Sequence, residues 1–133
     1  MRLRPFFGRD DMSTFAEIIE RVDQNKPNAF EQLEKLRWLT ELNGKIATEV
    51  MMMSITGVRN LPKDKEALKC EPLVSFPYED LYDRYLEAKI DYHNGEFNSY
   101  QNSMEAYNAA YSGFVNWFLN AYDPVQGYGG TTE

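Results

Sequence analysis

Asp91, His93 and Glu96 lie close together, and a carboxylate, an imidazole and a second carboxylate are donors that a divalent metal accepts. The stretch "HNGE", His93 to Glu96, ends a helix if Gly95 takes the left-handed cap position, and such a break scatters the three donors. His93 is the only histidine, so no second imidazole can complete a set. Cys70, the only cysteine, stands between Lys69 and Glu71. A nucleophilic thiol needs a base held beside it, and nothing in the sequence supplies one. Glu79 and Asp80 fit the electrostatics of a helix start, and Glu17 and Glu20 a solvated face. "GYGG" near the end has neither the strand and helix nor the lysine of a phosphate-cradling loop. The expectation is a chain with no catalytic residue, no cofactor and no metal site.

The totals narrow the function classes further. At 133 residues the chain has room for one domain and little more. A single cysteine excludes an intramolecular disulfide and fits a reducing compartment. No apolar run approaches the ~20 residues of a membrane span, and "MRLRPFFGRDD" is too polar after Phe7 for a signal peptide. The expected location is the cytoplasm of the cell that makes it. Net charge is −7, and no Lys or Arg follows Lys89. A surface without cations cannot gain affinity by neutralising phosphates, so sequence-specific or general nucleic-acid binding by this half is not expected. An acidic surface can still line a passage through which DNA slides, because like charges repel.

These residues must be carried by helices. Residues 1–12, with Arg2, Arg4 and Arg9 around Phe6 and Phe7, differ from everything that follows and are expected to be a flexible arm or a start placed too early. Thr14 and Glu17 have the spacing of a capping box, and Phe15, Ile18, Ile19 and Val22 follow on one face. Pro27 ends this first helix. Asn28 and Glu31 are expected to open a second, with a stripe from Phe30 and Leu33 through Leu36, Leu39, Leu42 and Ile46 to Val50 and Met53. Gly44 marks a kink or a close crossing within it. Residues 55–76, with Gly57, Pro62, Pro72 and "KDKEALK", fit neither a long helix nor a strand, and so long a connection is usually functional or mobile. "VMMMS", Val50 to Ser54, is expected to fill the core at the helix end. A third helix starts near Pro77 and turns Leu81, Tyr82, Tyr85, Leu86, Ala88 and Tyr92 inward. A fourth ends before Asp123, and 123–133 are expected to be a disordered tail. The fold is therefore read as all-α, four main helices in a small bundle over 13–122, with a long irregular loop between the second and third.

The fourth helix carries large side chains at Phe97, Tyr100, Met104, Tyr107, Tyr111, Phe114 and Phe118, alternately three and four residues apart. Such a seam is expected to be buried against the other helices, since a stacking platform for bases would need a positive groove. Its flanks carry Asn98, Gln101, Asn102, Asn108, Asn116 and Asn120 in place of Lys and Glu. Amides can hydrogen-bond across a contact without the desolvation cost of an ion, so this face is expected to meet another protein.

"KPNAFEQLEKLRWLTELNGKIATEV", Lys26 to Val50, and "YEDLYDRYLEAKIDYHNGEFNSYQNSMEAYNAAYSGFVNWF", Tyr78 to Phe118, resemble the small head–tail connector (adaptor) proteins of tailed phages and prophages of Gram-positive bacteria. The likeness lies in the tyrosine-rich helix, the "AKIDY-NGE" junction, the "Y-NS" step and the aromatic-studded last helix. It leaves 55–76 unmatched. The arm before Met12 and the insert "PKDKEALK" depart from the family pattern. The resemblance implies a non-enzymatic helical subunit without cofactor. Such subunits assemble as a dodecamer-like ring on the portal protein, extend the DNA channel and dock the next neck or tail component. The implied location is the virion neck, after assembly from the host cytoplasm. Arg59, Leu61, Leu68, Leu73, Trp117, Phe118 and Tyr122 are the candidate contacts to a neighbouring subunit or the portal. Two other readings of the residues stand beside it: a dimeric helical interaction or regulatory module without a ring, and a small metal protein built on Asp91, His93 and Glu96.

Overall fold

The computed structural model describes residues 13–122, and the proposed arm and tail lie outside them. The described residues are all-helical. The elements are α1 (Phe15–Asn25), α2 (Gln32–Glu49), the short α3 (Ile55–Arg59), a 3-10 turn (Lys65–Lys69), α4 (Asp80–His93) and α5 (Phe97–Tyr122). Among the described residues no strand is present.

α1 begins as its sequence dictates. The Thr14 hydroxyl accepts from the Glu17 amide, and the Glu17 carboxylate accepts from the Thr14 amide. Phe15, Ile18, Ile19 and Val22 are all buried. α2 differs from expectation at both ends. It starts one turn later, with Glu31 at the cap and no side-chain cap bond. Asn28 instead folds the preceding loop: its Oδ1 accepts from the Phe30 amide and the Lys35 ammonium. The helix also stops at Glu49, so it has 18 residues and Met53 falls outside it. Leu33 is 51% exposed, whereas Trp38 is buried. Gly44 makes no close crossing, because a Cβ there would meet nothing within 4 Å.

α4 is the centre of the molecule and packs on α1, α2 and α5, whereas α5 packs on no helix but α4. α1, α2 and α4 bury a common core with Leu36, Leu39, Leu42, Ile46, Leu81, Tyr82, Leu86 and Ile90. α4 starts at Asp80, so Pro77 precedes it rather than occupying its first turn. Its end is a Schellman motif. Gly95 has φ 75°, its amide bonds the Tyr92 carbonyl, and the Glu96 amide bonds the Asp91 carbonyl. The turn sends α5 back along α4. α5 has 26 residues and α4 has 14, so α5 overhangs its partner.

Ion pairs tie these helices at their edges. Arg21 donates twice to Asp83, at 2.7 and 2.8 Å, which raises the guanidinium pKa further. Lys35 is 3% exposed and its ammonium is taken by Asp23 and Asn28. Asp91 is wholly buried, with Oδ2 accepting from Ser103 Oγ at 2.6 Å. Its Oδ1 lies 3.1 Å from Lys26 Nζ without hydrogen-bond alignment, a charge pair rather than a directed bond.

Candidate functional site

The supposed metal trio is put to other uses. Asp91 bridges Lys26 and α5 inside the bundle. The His93 ring stacks on Trp38, with centroids 4.9 Å apart and planes 3° from parallel. Among the described residues no group of three His, Cys, Asp or Glu side chains is placed to hold a metal ion. Cys70 is half-buried and packs on the core, with its carbonyl accepting from the Phe15 amide. Burial holds the Glu79 carboxyl above the usual range, although it accepts from the Ser13 amide and faces Arg21. A hollow of about 520 Å³ is an open trough between α1 and α2 whose one lysine, Lys35, is already paired.

The connection between α2 and α4 is anchored by residues that no local motif marks. Asn43 is 3% exposed and its Oδ1 accepts from the Leu73 amide at 3.0 Å and the Tyr82 hydroxyl at 2.7 Å. The Tyr82 oxygen accepts in turn from the Val74 amide at 3.2 Å. Burial pushes the Tyr82 hydroxyl above its ordinary pKa of 10. Two side chains thus satisfy two backbone donors of a segment with no ladder of its own. Val74 and Pro72 are held inside while Ser75 and Phe76 stay out.

This anchoring builds an apolar end. Leu73, Val74, Ser75, Met51, Phe114, Trp117 and Phe118 line a hollow of about 100 Å³ between the connection and the last turns of α5. Beside it in the chain, Met52 is 77% exposed, Ile55 70%, Phe76 63% and Leu119 51%. Met52 also has φ 54°, the left-handed region that costs a non-glycine residue about 1–2 kcal/mol. The methionine cluster therefore does not simply fill the core: Met51 packs on it while Met52 points to solvent. The turn at Met52 lets the Met53 amide donate to the Ala47 carbonyl at the end of α2, while the Met52 side chain itself is presented to water; strain of this kind gathers at functional sites.

Of the candidate contacts, Leu73, Trp117 and Phe118 come together in this hollow. Leu68 packs against the core instead. Arg59 and Leu61 lie at the end of α3, where the Lys63 ammonium bonds both their carbonyls. Tyr122 closes α5, and its side chain lies outside the described residues. Met52, Ile55, Phe76 and Leu119 are additions; "MMM" was their one visible signal.

The aromatic seam is less buried than its spacing implies. Phe114 is 1% exposed, but Tyr100, Met104, Tyr107, Tyr111 and Phe118 are half-buried, and Phe97 is 62% exposed. One helix, α4, is too short and too narrow a partner to cover it. Tyr107 meets Tyr85 at 5.2 Å and Tyr100 meets Tyr92 at 5.3 Å, ring against ring along the α4–α5 contact. Desolvation there raises the Tyr107 hydroxyl above its ordinary pKa. On the far side Asn98, Gln101, Asn102, Asn108, Asn116 and Asn120 are all exposed. No described helix is long and apolar enough to cross a membrane.

No family model matches the chain, and no curated protein and no solved structure matches it either.

Proposed function

We propose that this chain is a structural, non-catalytic subunit of the phage head–tail junction. It assembles as a ring on the portal protein, extends the DNA channel and docks the next neck or tail component. The observation that carries the reading is the hollow lined by Leu73, Trp117 and Phe118, with the exposed Met52, Ile55, Phe76 and Leu119 close in the chain to its lining residues. Exposed apolar surface at one end of a small domain marks a docking surface for protein. The resemblance of Lys26–Val50 and Tyr78–Phe118 to connector proteins says which kind of partner. The acidic balance, net −7, suits a channel that must not grip DNA. Leu73 and Trp117 face the portal or the next ring, with Arg59 at the end of α3 and Leu61 just after it as further contacts.

Native mass spectrometry with and without the portal protein of the same phage tests it. The expected result is a closed high-order oligomer, formed alone or on the portal. Leu73→Asp and Met52→Asp should abolish portal binding while the melting temperature of Met52→Asp stays at or above that of the parent. A chain that neither closes a ring nor binds the portal would sink the reading. A fixed dimer without portal affinity would turn it to a helical regulatory adaptor, which the uncovered face of α5 also suits.

A further inference from the structure

α5 is the longest helix, 26 residues or about 39 Å, and it is covered along one side only, by a helix of 14 residues or about 21 Å. Its uncovered side runs from Asn98 to Asn120 and holds Asn102, Ala106, Ala109 and Asn116, all exposed. In the whole helix Glu105 is the one charged residue. Every other main helix spends its exposed side on ions: Glu17 and Glu20 on α1, Arg37, Glu41 and Glu49 on α2, Asp80 and Arg84 on α4. A helix of middling formers such as Asn and Ser that forgoes charge gains nothing from water for doing so.

We infer that the uncharged side of α5 is the surface on which a second copy of this chain docks. Two copies of a chain at −7 repel, and the repulsion is least where a nearly neutral face is the one turned to the neighbour. Ala106 and Ala109 let a neighbouring backbone come close, and the amides around them donate and accept across the gap without stripping water from an ion. The area fixes the strength. A stripe about 39 Å long and about 10 Å wide covers roughly 400 Å² per copy, half of what a stable pairwise interface takes from each partner. One such contact is weak, whereas a closed ring gives each copy two. The interface therefore forms at high concentration or on a template. The inference rests on the ring reading for the arrangement of the copies, and it leaves the apolar end free for a different partner.

The experiment is sedimentation velocity over a wide concentration range, alone and with the portal protein. It compares the parent with Ala109→Glu, Asn116→Glu and, on the exposed side of α2, Thr48→Glu. An unpaired charge buried in this contact should weaken self-association about tenfold or more in the two α5 variants. The melting temperatures should be unchanged, and Thr48→Glu should associate like the parent. An oligomer that survives both α5 variants, or one that Thr48→Glu weakens equally, overturns the inference and leaves the ring reading standing. A parent that stays monomeric alone and does not bind the portal overturns the ring reading, and the inference with it. As a second readout, maleimide labelling of Ala109→Cys in a Cys70→Ser background should slow as the protein is concentrated. Unchanged labelling in a sample that sediments as an oligomer also overturns it.

Discussion

Replacing Asn43 with alanine tests the contact that shapes the apolar end. Asn43 Oδ1 is shared by the Leu73 amide and the Tyr82 hydroxyl, both within 3.0 Å, in surroundings from which water is excluded. Alanine deletes two hydrogen bonds of about 1 kcal/mol each and orphans two buried donors, whose desolvation costs about 1–3 kcal/mol apiece. The Tyr82 hydroxyl can turn away and keep accepting from Val74, so its share sits at the low end. Alanine also returns about 0.5 kcal/mol as the better helix former. The net is a loss of about 3 kcal/mol. Tyr82→Phe keeps the Leu73 bond but orphans the Val74 amide, for a loss of about 2 kcal/mol. The double variant should lose less than the sum by about 1 kcal/mol, because the Asn43–Tyr82 bond disappears in either single variant. Urea unfolding followed by far-ultraviolet circular dichroism gives the three values. Amide exchange at Leu73 and Val74 should rise in Asn43→Ala well before global unfolding. A loss below about 1 kcal/mol, with those amides still protected, would refute the reasoning, because the segment would then be held by packing alone.

Three further outcomes are expected. Lys26→Met should cost about 3–5 kcal/mol by leaving Asp91 charged and unpaired inside the bundle, whereas Asp91→Asn should cost about 2 because the half-exposed Lys26 can turn to water; equal losses in chemical denaturation would show that the pair is not what matters. Phe114→Ala should lose about 3–5 kcal/mol as a core truncation while Phe97→Ala, on the same seam, stays within about 0.5; similar shifts in melting temperature would contradict the uneven burial. The raised Tyr82 and Tyr107 hydroxyls favour the folded state with its protons on, so their contribution is complete below the ordinary value of 10 and is lost as pH rises beyond it. Absorbance at ~295 nm should show these two ionising only together with the loss of helix, and free titration near pH 10 in the folded protein would contradict their burial.

Much of this molecule was legible one residue at a time. The capping box at Thr14, the apolar face of α1 and the left-handed Gly95 that divides α4 from α5 are local events. They are decided by neighbours within four or five positions, where hydrogen-bond geometry and glycine's freedom leave few alternatives. The chain's charge, its lone histidine and cysteine, and the seam of α5 with its amide flank were equally open to reading. What helical spacing could not tell is how much of a stripe finds a partner. The seam has one period along its whole length, yet Phe114 is buried and Phe97 exposed, because Tyr78 and the connection of Met51, Leu73 and Val74 close over Phe114 while Phe97 meets the half-exposed Tyr92. Leu33 and Trp38 in α2 show an inversion: the apolar stripe includes Leu33 and leaves out Trp38, and only the packing of Phe30 and His93 on Trp38 turns it inside. The connection after α2 was the least legible. Its shape depends on Asn43, thirty residues before Leu73, and on Tyr82, and no local rule links a mid-helix amide to a backbone donor that far away. Local chemistry set the helices and their ends; the docking end exists only because distant polar side chains satisfy backbone groups that have no helix or sheet to join.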